Sequence, residues 1–247
     1  CCEINYAVGH QFDGGFSQYL KLNELTVNNG PIQKIDEHVT FEAATLAEPL
    51  ACCINGYEVA NAKHIDTVVI FGGGPIGMML ASLAPTYGAK TVILIDPNQK
   101  RLNQVIKLGL ADHIINPLNE DVKKKVMDIT KNIGSQLIFT ATTAKESHEL
   151  AISLISRRGV VNLFGGLPKN AGNISLNSNW IHYREAYITG SHGSTPLQNV
   201  KALKLISSGA IEAEKFITHS YSIENFNKAI ATANNGEAIK IIIKPNL

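Results

Sequence analysis

The sequence has 247 residues and a formal charge of +1, from 22 Lys and Arg against 21 Asp and Glu, with 6% aromatic residues. That balance argues against nucleic acid as the main partner. No apolar run approaches the ~20 residues of a membrane span, and no basic region followed by an apolar stretch marks a signal peptide.

The size allows one large domain or two modest ones. The cysteines form two adjacent pairs, Cys1-Cys2 and Cys52-Cys53, which is no disulfide framework; a reducing, cytoplasmic setting is expected. The chain begins at Cys1 without an initiator Met, in the middle of a pattern, and is expected to be a piece of a longer protein.

Residues 1–40 carry strand and turn signals: Asp13-Gly14-Gly15, the loosely alternating stretch Phe16 to Leu22, and the turn cluster Asn28-Asn29-Gly30-Pro31. A small β region is expected there. Phe41 to Ala60 reads as a helix in two pieces, the first capped by Thr40 and the two divided by Pro49, which suits the first turn of the second. Glu48 then stands at a helix start, where the helix dipole favours an acid whatever else it does. Cys52 and Cys53 read as small core residues.

The chain is organised around the stretch from Thr67 to Gly77. A β-branched apolar run breaks into glycines and then enters an apolar helix. Gly72, Gly74 and Gly77 fit G-x-G-x-x-G, followed inward by Pro75 and Ile76. The first glycine permits a sharp turn, the second lets a pyrophosphate approach the backbone, and the third packs helix on strand. The helix N-terminus offers amide donors and a positive dipole end to the phosphates.

The next apolar run, Thr91 to Ile95, ends in Asp96, about 20 residues beyond the glycines, where a dinucleotide fold places the acid for the adenosine ribose. Asp96 also reads as a helix N-cap. A 2′-phosphate beside this carboxylate meets a repulsion of ~4 kcal/mol at 4 Å in a surface-like dielectric, ~1 kcal/mol in water. A preference for NAD of about one to three decades follows, softened by Lys100 and Arg101.

Strands are expected near Thr67–Phe71, Thr91–Ile95, His113–Ile115, Gln136–Thr140, Val160–Phe164 and Ala186–Thr189. Helices are expected near Pro75–Tyr87, Asn98–Leu108, Asn119–Lys131 and Ala144–Ile155, the first ended early by Pro85. This βα alternation predicts an α/β fold with a doubly wound parallel sheet in the order 3-2-1-4-5-6. Ligands sit at the C-terminal strand ends of such a sheet. Thr140 to Thr143, and Phe164 to Leu167 with Gly165 and Gly166, read equally as the lining of a nicotinamide channel and as ordinary loops.

Beyond Gly190 come a loop, Ser191 to Pro196, helices near Leu197–Ser207 and Ile223–Asn234, and a terminal strand, Ile241–Ile243. This tail has no βαβ logic and is expected to return to the N-terminal β region.

The chain resembles the medium-chain, zinc-dependent alcohol dehydrogenases, in the branch holding polyol, sugar-phosphate and threonine dehydrogenases. The resemblance runs through Asp13 to Tyr19, Ala47-Glu48-Pro49-Leu50-Ala51-Cys52, Phe71 to Gly77, Gly109 to Asp112 with Ile115-Asn116-Pro117, Gly159 to Gly165, Thr189 to Gly193 and Ile217 to His219. It implies a Rossmann domain at 51–190 inserted in a partial GroES-like, β-rich catalytic domain built from 1–50 and 191–247. It implies NAD and zinc as cofactors, a small-molecule alcohol as substrate, and a homodimer or homotetramer.

By the same resemblance Glu48 lies at the catalytic zinc, Cys2 is the last ligand of a structural zinc lobe, Ser191 borders the cofactor and Lys240 approaches the pyrophosphate. The family's other zinc ligands do not occur in this sequence, and no structural zinc is expected in it. His182, His192 and His219 match no zinc spacing. The substrate-holding Arg and aromatic of polyol members are absent near Gly193-Ser194, and Thr142-Thr143 replaces a commoner Gly. The expected function is hydride transfer between NAD and a secondary alcohol, polyol or sugar phosphate. Two readings stay open beside it: a zinc-free quinone or enoyl reductase, and a non-catalytic dinucleotide-binding protein.

Overall fold

A computed structural model describes residues 6–30, 32–236 and 238–245. Cys2 lies outside the described residues. The chain opens with a short helix α1 (Glu24–Asn29), whose Asn23 side chain accepts from the Thr26 amide. Helix α2 (Phe41–Ala44) is capped by the Thr40 hydroxyl, and α3 (Ala47–Ala60) follows, with Pro49 in its first turn. The break expected at Pro49 falls earlier, at Thr45-Leu46, and Pro49 lies inside the first turn of α3, where its missing N–H costs no hydrogen bond.

The alternation then begins: β1 (Thr67–Phe71), α4 (Pro75–Leu83), β2 (Thr91–Ile95), α5 (Gln99–Lys107), β3 (His113–Ile115), α6 (Val122–Ile129), β4 (Ser135–Thr140), α7 (Lys145–Ser153), β5 (Ile155–Leu163), α8 (Ser178–His182) and β6 (Tyr187–Gly190). The tail holds α9 (Pro196–Ser207), β7 (Ile217–Ser222), α10 (Phe226–Asn234) and β8 (Lys240–Lys244).

Strands β1 to β6 form one parallel sheet in the order β3-β2-β1-β4-β5-β6, as the sequence predicts. The alternation within β1 shows why both faces are covered. Val68 and Ile70 join one apolar cluster, with Leu50 and Ile54 of α3 and Leu80 and Leu83 of α4. Val69 and Phe71 join the other, with Val126 of α6 and Ile152 of α7. A strand buried on both faces reads as a continuous apolar run, which is what Thr67 to Phe71 is.

Pro85 ends α4 as expected, leaving a tight 3-10 turn at Ala84–Tyr87. Strand β5 starts at Ile155 rather than Val160, with a register shift opposite Ser135/Leu137 and Arg158 at φ 56°.

The tail differs from expectation in one respect: β7 and β8 pair in parallel through α10, so it is itself a βαβ unit, and among the described residues β8 joins no N-terminal strand. It does return to the N-terminal segment, where Lys244 pairs with Glu42, His38 Nε2 lies 2.9 Å from the Ser207 carbonyl oxygen and Gln33 donates to the Pro196 carbonyl at 3.2 Å. Among described residues 6–40 there is no strand, only an isolated bridge between Val8 and Phe12. Phe16 and Tyr19 stand exposed, Phe16 against Phe226 with ring centroids 5.0 Å apart. An alternating stretch becomes a strand only beside a partner strand, and none of the described residues supplies one.

Candidate functional site

The glycine turn sits at the C-terminal end of β1, beside the β1–β4 switch point. Gly72 has φ +107°, and a Cβ there would stand 2.4 Å from the Ala141 carbonyl oxygen. A Cβ on Gly77 would lie 1.8 Å from the Gly72 oxygen, so α4 packs on its strand only through glycine. A Cβ on Gly74 would meet nothing within 4 Å. Gly74 therefore faces open space at the head of α4. Pro75 occupies the first turn, no side chain caps it, and the first intrahelical bond runs from the Met78 amide to the Gly74 carbonyl. Ile76 and Gly77 supply the amides that head this helix.

Asp96 directly follows β2 and is 3% exposed. One carboxylate oxygen accepts from the Gly73 amide at 2.7 Å and the other from the Asn98 amide at 2.7 Å. Arg101 stands 3.6 Å away and is 38% exposed. Asp96 is not the N-cap of α5. Asn98 is, its side chain accepting from the Lys100 and Arg101 amides. A Cβ on Gly236 would lie 3.9 Å from both the Arg101 guanidinium and the Asn98 side chain, which sets the α10–β8 turn beside this end of the cleft.

Across the switch point, Thr140 is fully buried, and its hydroxyl alone among buried side-chain N and O atoms of the described residues has no hydrogen-bond partner. The Gly165 amide donates to the Thr140 carbonyl at 2.7 Å. A Cβ on Gly165 would stand 2.5 Å from the Thr142 carbonyl oxygen, whereas one on Gly166 would meet nothing within 4 Å. The Ser191 hydroxyl donates to Asn162 at 2.9 Å, and Asn162, fully buried in β5, donates to Thr189 at 3.2 Å.

Glu48 lies exposed at the start of α3 and accepts from the Cys52 thiol at 3.2 Å. Cys52 is thus half-buried beside a carboxylate, not a core residue; Cys53 is the buried one, its side chain turned inward to the Ile76 carbonyl. Burial, then the Glu48 charge, push the Cys52 thiol up to about 12. Lys240 is half-buried. Burial pulls its pKa below the ordinary lysine value, and the Glu48 charge opposes that fall.

The loop after β6 is pinned from α3: the Asn55 amide donates to the Gly193 carbonyl at 3.0 Å, while Gln198 donates to Asn55 and Glu58 at 2.9 and 2.8 Å. No group of three His, Cys, Asp or Glu side chains among the described residues is arranged to hold a metal ion. His182, His192 and His219 accordingly form no such group.

Several of these partners were not legible as such in the sequence. Gly73 hides between two fingerprint glycines. Asn162 did leave a signal, a lone amide in the apolar run Gly159 to Phe164.

A parallel sheet in this order, with a glycine turn at its switch point and an acid at the end of the second strand, defines a dinucleotide-binding α/β protein. The family model for zinc-binding dehydrogenases matches residues 75–208. The chain belongs to that family.

It is 29% identical to D-arabitol-phosphate dehydrogenase of Enterococcus avium, over 99% of this chain and 68% of that protein. It is 30% identical to L-threonine 3-dehydrogenase of Pyrococcus furiosus, over 98% of this chain and 67% of that protein. Among solved structures, the alcohol dehydrogenase rspB of E. coli CFT073, complexed with NADH, superposes with a TM-score of 0.75 at 26% identity, covering 86% of this chain and 62% of that one. A structure from Sinorhizobium meliloti 1021, assigned as a zinc-binding dehydrogenase and bound to NADP, superposes with a TM-score of 0.79 at 26% identity, covering 86% of this chain and 62% of that one. The chain spans less than two thirds of these solved proteins.

Proposed function

We propose that this chain binds NAD and belongs to a dehydrogenase that moves a hydride between NAD and a secondary alcohol, a polyol or a polyol phosphate. The observation that carries the reading is the pair of glycines at the head of α4: Gly77 admits no Cβ, while Gly74 leaves open space where a pyrophosphate would stand. The buried Thr140 hydroxyl without a partner supports it from the far side of the switch point.

In this reading the Ile76 and Gly77 amides receive the pyrophosphate, joined by Lys240. Gly72 and Pro75 fix the turn. Asp96 orients the adenosine ribose, with Arg101 beside it, and favours NAD over its 2′-phosphate. Thr140, Gly165, Gly166 and Ser191 border the nicotinamide half, where Gly165 packs against the Thr142 carbonyl and Gly166 leaves open space. NAD, when bound, supplies the hydride acceptor.

Zinc, which the family implies, does not fit the described residues as a resident ion, since Glu48 and Cys52 bring only two donors together. Glu48 is read as one contributor to a zinc site in the complete protein. Residues 1–50 and 191–247 are read as parts of a catalytic domain flanking a dinucleotide domain at 51–190. The assembly is read as a homodimer or homotetramer in the cytoplasm. No helix among the described residues is long and apolar enough to cross a membrane.

The test is turnover of NAD with a panel of secondary alcohols, polyols and polyol phosphates, run beside NADH binding to the same sample. Reduction of NAD with one class supports the reading. Tight NADH binding with no turnover on any of them by the complete protein, zinc supplied, favours the non-catalytic alternative.

A further inference from the structure

His148 lies on α7, is 2% exposed, and has no role in the site described above. Its Nε2 stands 3.0 Å from the Thr142 carbonyl oxygen. A carbonyl only accepts, so Nε2 carries the proton and donates. The same Thr142 carbonyl is the atom against which Gly165 packs, too close for any Cβ. The imidazole, the β4–α7 loop and the β5 loop therefore form one contiguous stack. The Thr142 hydroxyl tightens the same loop by accepting from the Ala144 amide at 3.2 Å.

This stack lies on the β4–β5 side of the switch point, opposite Asp96. Asp96 marks the adenosine half of a dinucleotide cleft, so the ends of β4 and β5 flank the nicotinamide half. A buried imidazole holding a loop carbonyl on that side has a consequence for one half of the ligand only.

We propose that His148 is a positioning residue: by donating to the Thr142 carbonyl it sets the shape of the nicotinamide half of the cleft, without touching the adenosine half. The inference rests on the dinucleotide reading given above. Without the donor, the Thr142 carbonyl loses its partner, and the loop relaxes away from Gly165. The predicted loss falls on NADH and spares ADP-ribose, which has the adenosine, the pyrophosphate and a ribose but no nicotinamide.

The experiment titrates the full chain with NADH, by nicotinamide fluorescence, and with ADP-ribose, by calorimetry. The variants are His148→Leu, His148→Asn and His148→Gln. Leu removes the donor, Asn keeps a polar group too short to reach Thr142, and Gln places an amide N–H near the original Nε2.

The expected result is an NADH affinity lowered about tenfold in the Leu and Asn variants, the size of one buried hydrogen bond left unmade. ADP-ribose should hold within about twofold, and the Gln variant should recover most of the NADH affinity. If the Leu variant does not fold, the Asn variant carries the comparison. Unchanged NADH binding in a folded variant lacking the donor overturns the proposal, and so does an equal loss for both ligands, which marks a purely structural role. A wild-type chain that binds neither ligand overturns the dinucleotide reading itself, an outcome distinct from either.

Discussion

The Asp96 carboxylate accepts a 2.7 Å hydrogen bond from the amide of Gly73, and so joins the end of β2 to the middle of the glycine turn on β1. A Cβ on Gly73 would come within 3.1 Å of both the Asp96 Cβ and a Leu94 methyl. The acid that would read the ribose and the turn that would receive the pyrophosphate are thus one rigid unit. Asp96→Asn removes half of the acceptor pair that serves Gly73 and Asn98. It should destabilise the fold by ~1–2 kcal/mol and narrow the preference for NADH over NADPH. Chemical denaturation and paired titrations check the two effects separately.

Gly74 and Gly77 separate folding from binding. Gly77→Ala forces a methyl onto the Gly72 oxygen, where 1.8 Å is available, and should cost ~3 kcal/mol or more of stability. Gly74→Ala meets no protein atom within 4 Å and keeps its φ of −76°. Its stability should change by less than ~0.5 kcal/mol while NADH affinity falls at least about tenfold. Thermal melts set against NADH fluorescence distinguish the two variants. A Gly74→Ala chain that binds NADH as well as wild type would contradict the placement of the pyrophosphate.

Lys240 carries a cost as well as a proposed contact. Its folded-state pKa lies below the ordinary lysine value of 10.5, chiefly because burial disfavours the ammonium. The unfolded chain therefore holds that proton more tightly. The charging penalty is present at neutral pH and is relieved as pH rises through the window below 10.5. Lys240→Met should raise stability at pH 7, lose that gain toward high pH, and weaken NADH binding. Urea midpoints across pH, with NADH titration at pH 7, test both signs.

How much of this was legible in the sequence follows from burial. Val68 to Phe71, Ile93 to Ile95 and Leu137 to Phe139 are continuous apolar runs because both faces of the sheet are covered. They gave away the strand order together with the glycine turn. β7 is different. Ile217-Thr-His-Ser-Tyr-Ser222 is polar and nowhere fully buried, so it lacks the run that betrays a strand, and the βαβ unit of the tail leaves no such mark in the sequence. The stretch Phe16 to Leu22 misled in the opposite direction, since alternation alone does not make a strand. The site divided likewise. Gly72, Gly77 and Asp96 announced themselves by type and spacing. His148 and Cys52 depend on contacts made only in the folded chain, with Thr142 and Glu48.

Cys52 gives a chemical handle on Glu48. With its pKa pushed up to about 12 from an ordinary 9.0, by burial and then by Glu48, the thiol holds about a thousandfold less thiolate at pH 8 than a free cysteine. Alkylation by iodoacetamide should be correspondingly slow, although the residue is half-exposed. Glu48→Gln removes the neighbouring charge and should speed alkylation several-fold. An alkylation rate at Cys52 equal to that of a free thiol would contradict the Glu48–Cys52 arrangement.

The measurement that bears most directly on the central claim is a paired titration of the chain with NADH and NADPH, followed by nicotinamide fluorescence. Saturable binding of NADH, about ten- to a thousandfold tighter than NADPH, is the predicted result, with Asp96 as the discriminating charge. No binding of either nucleotide by the folded chain would contradict the dinucleotide site, and tighter binding of NADPH would contradict the role given to Asp96.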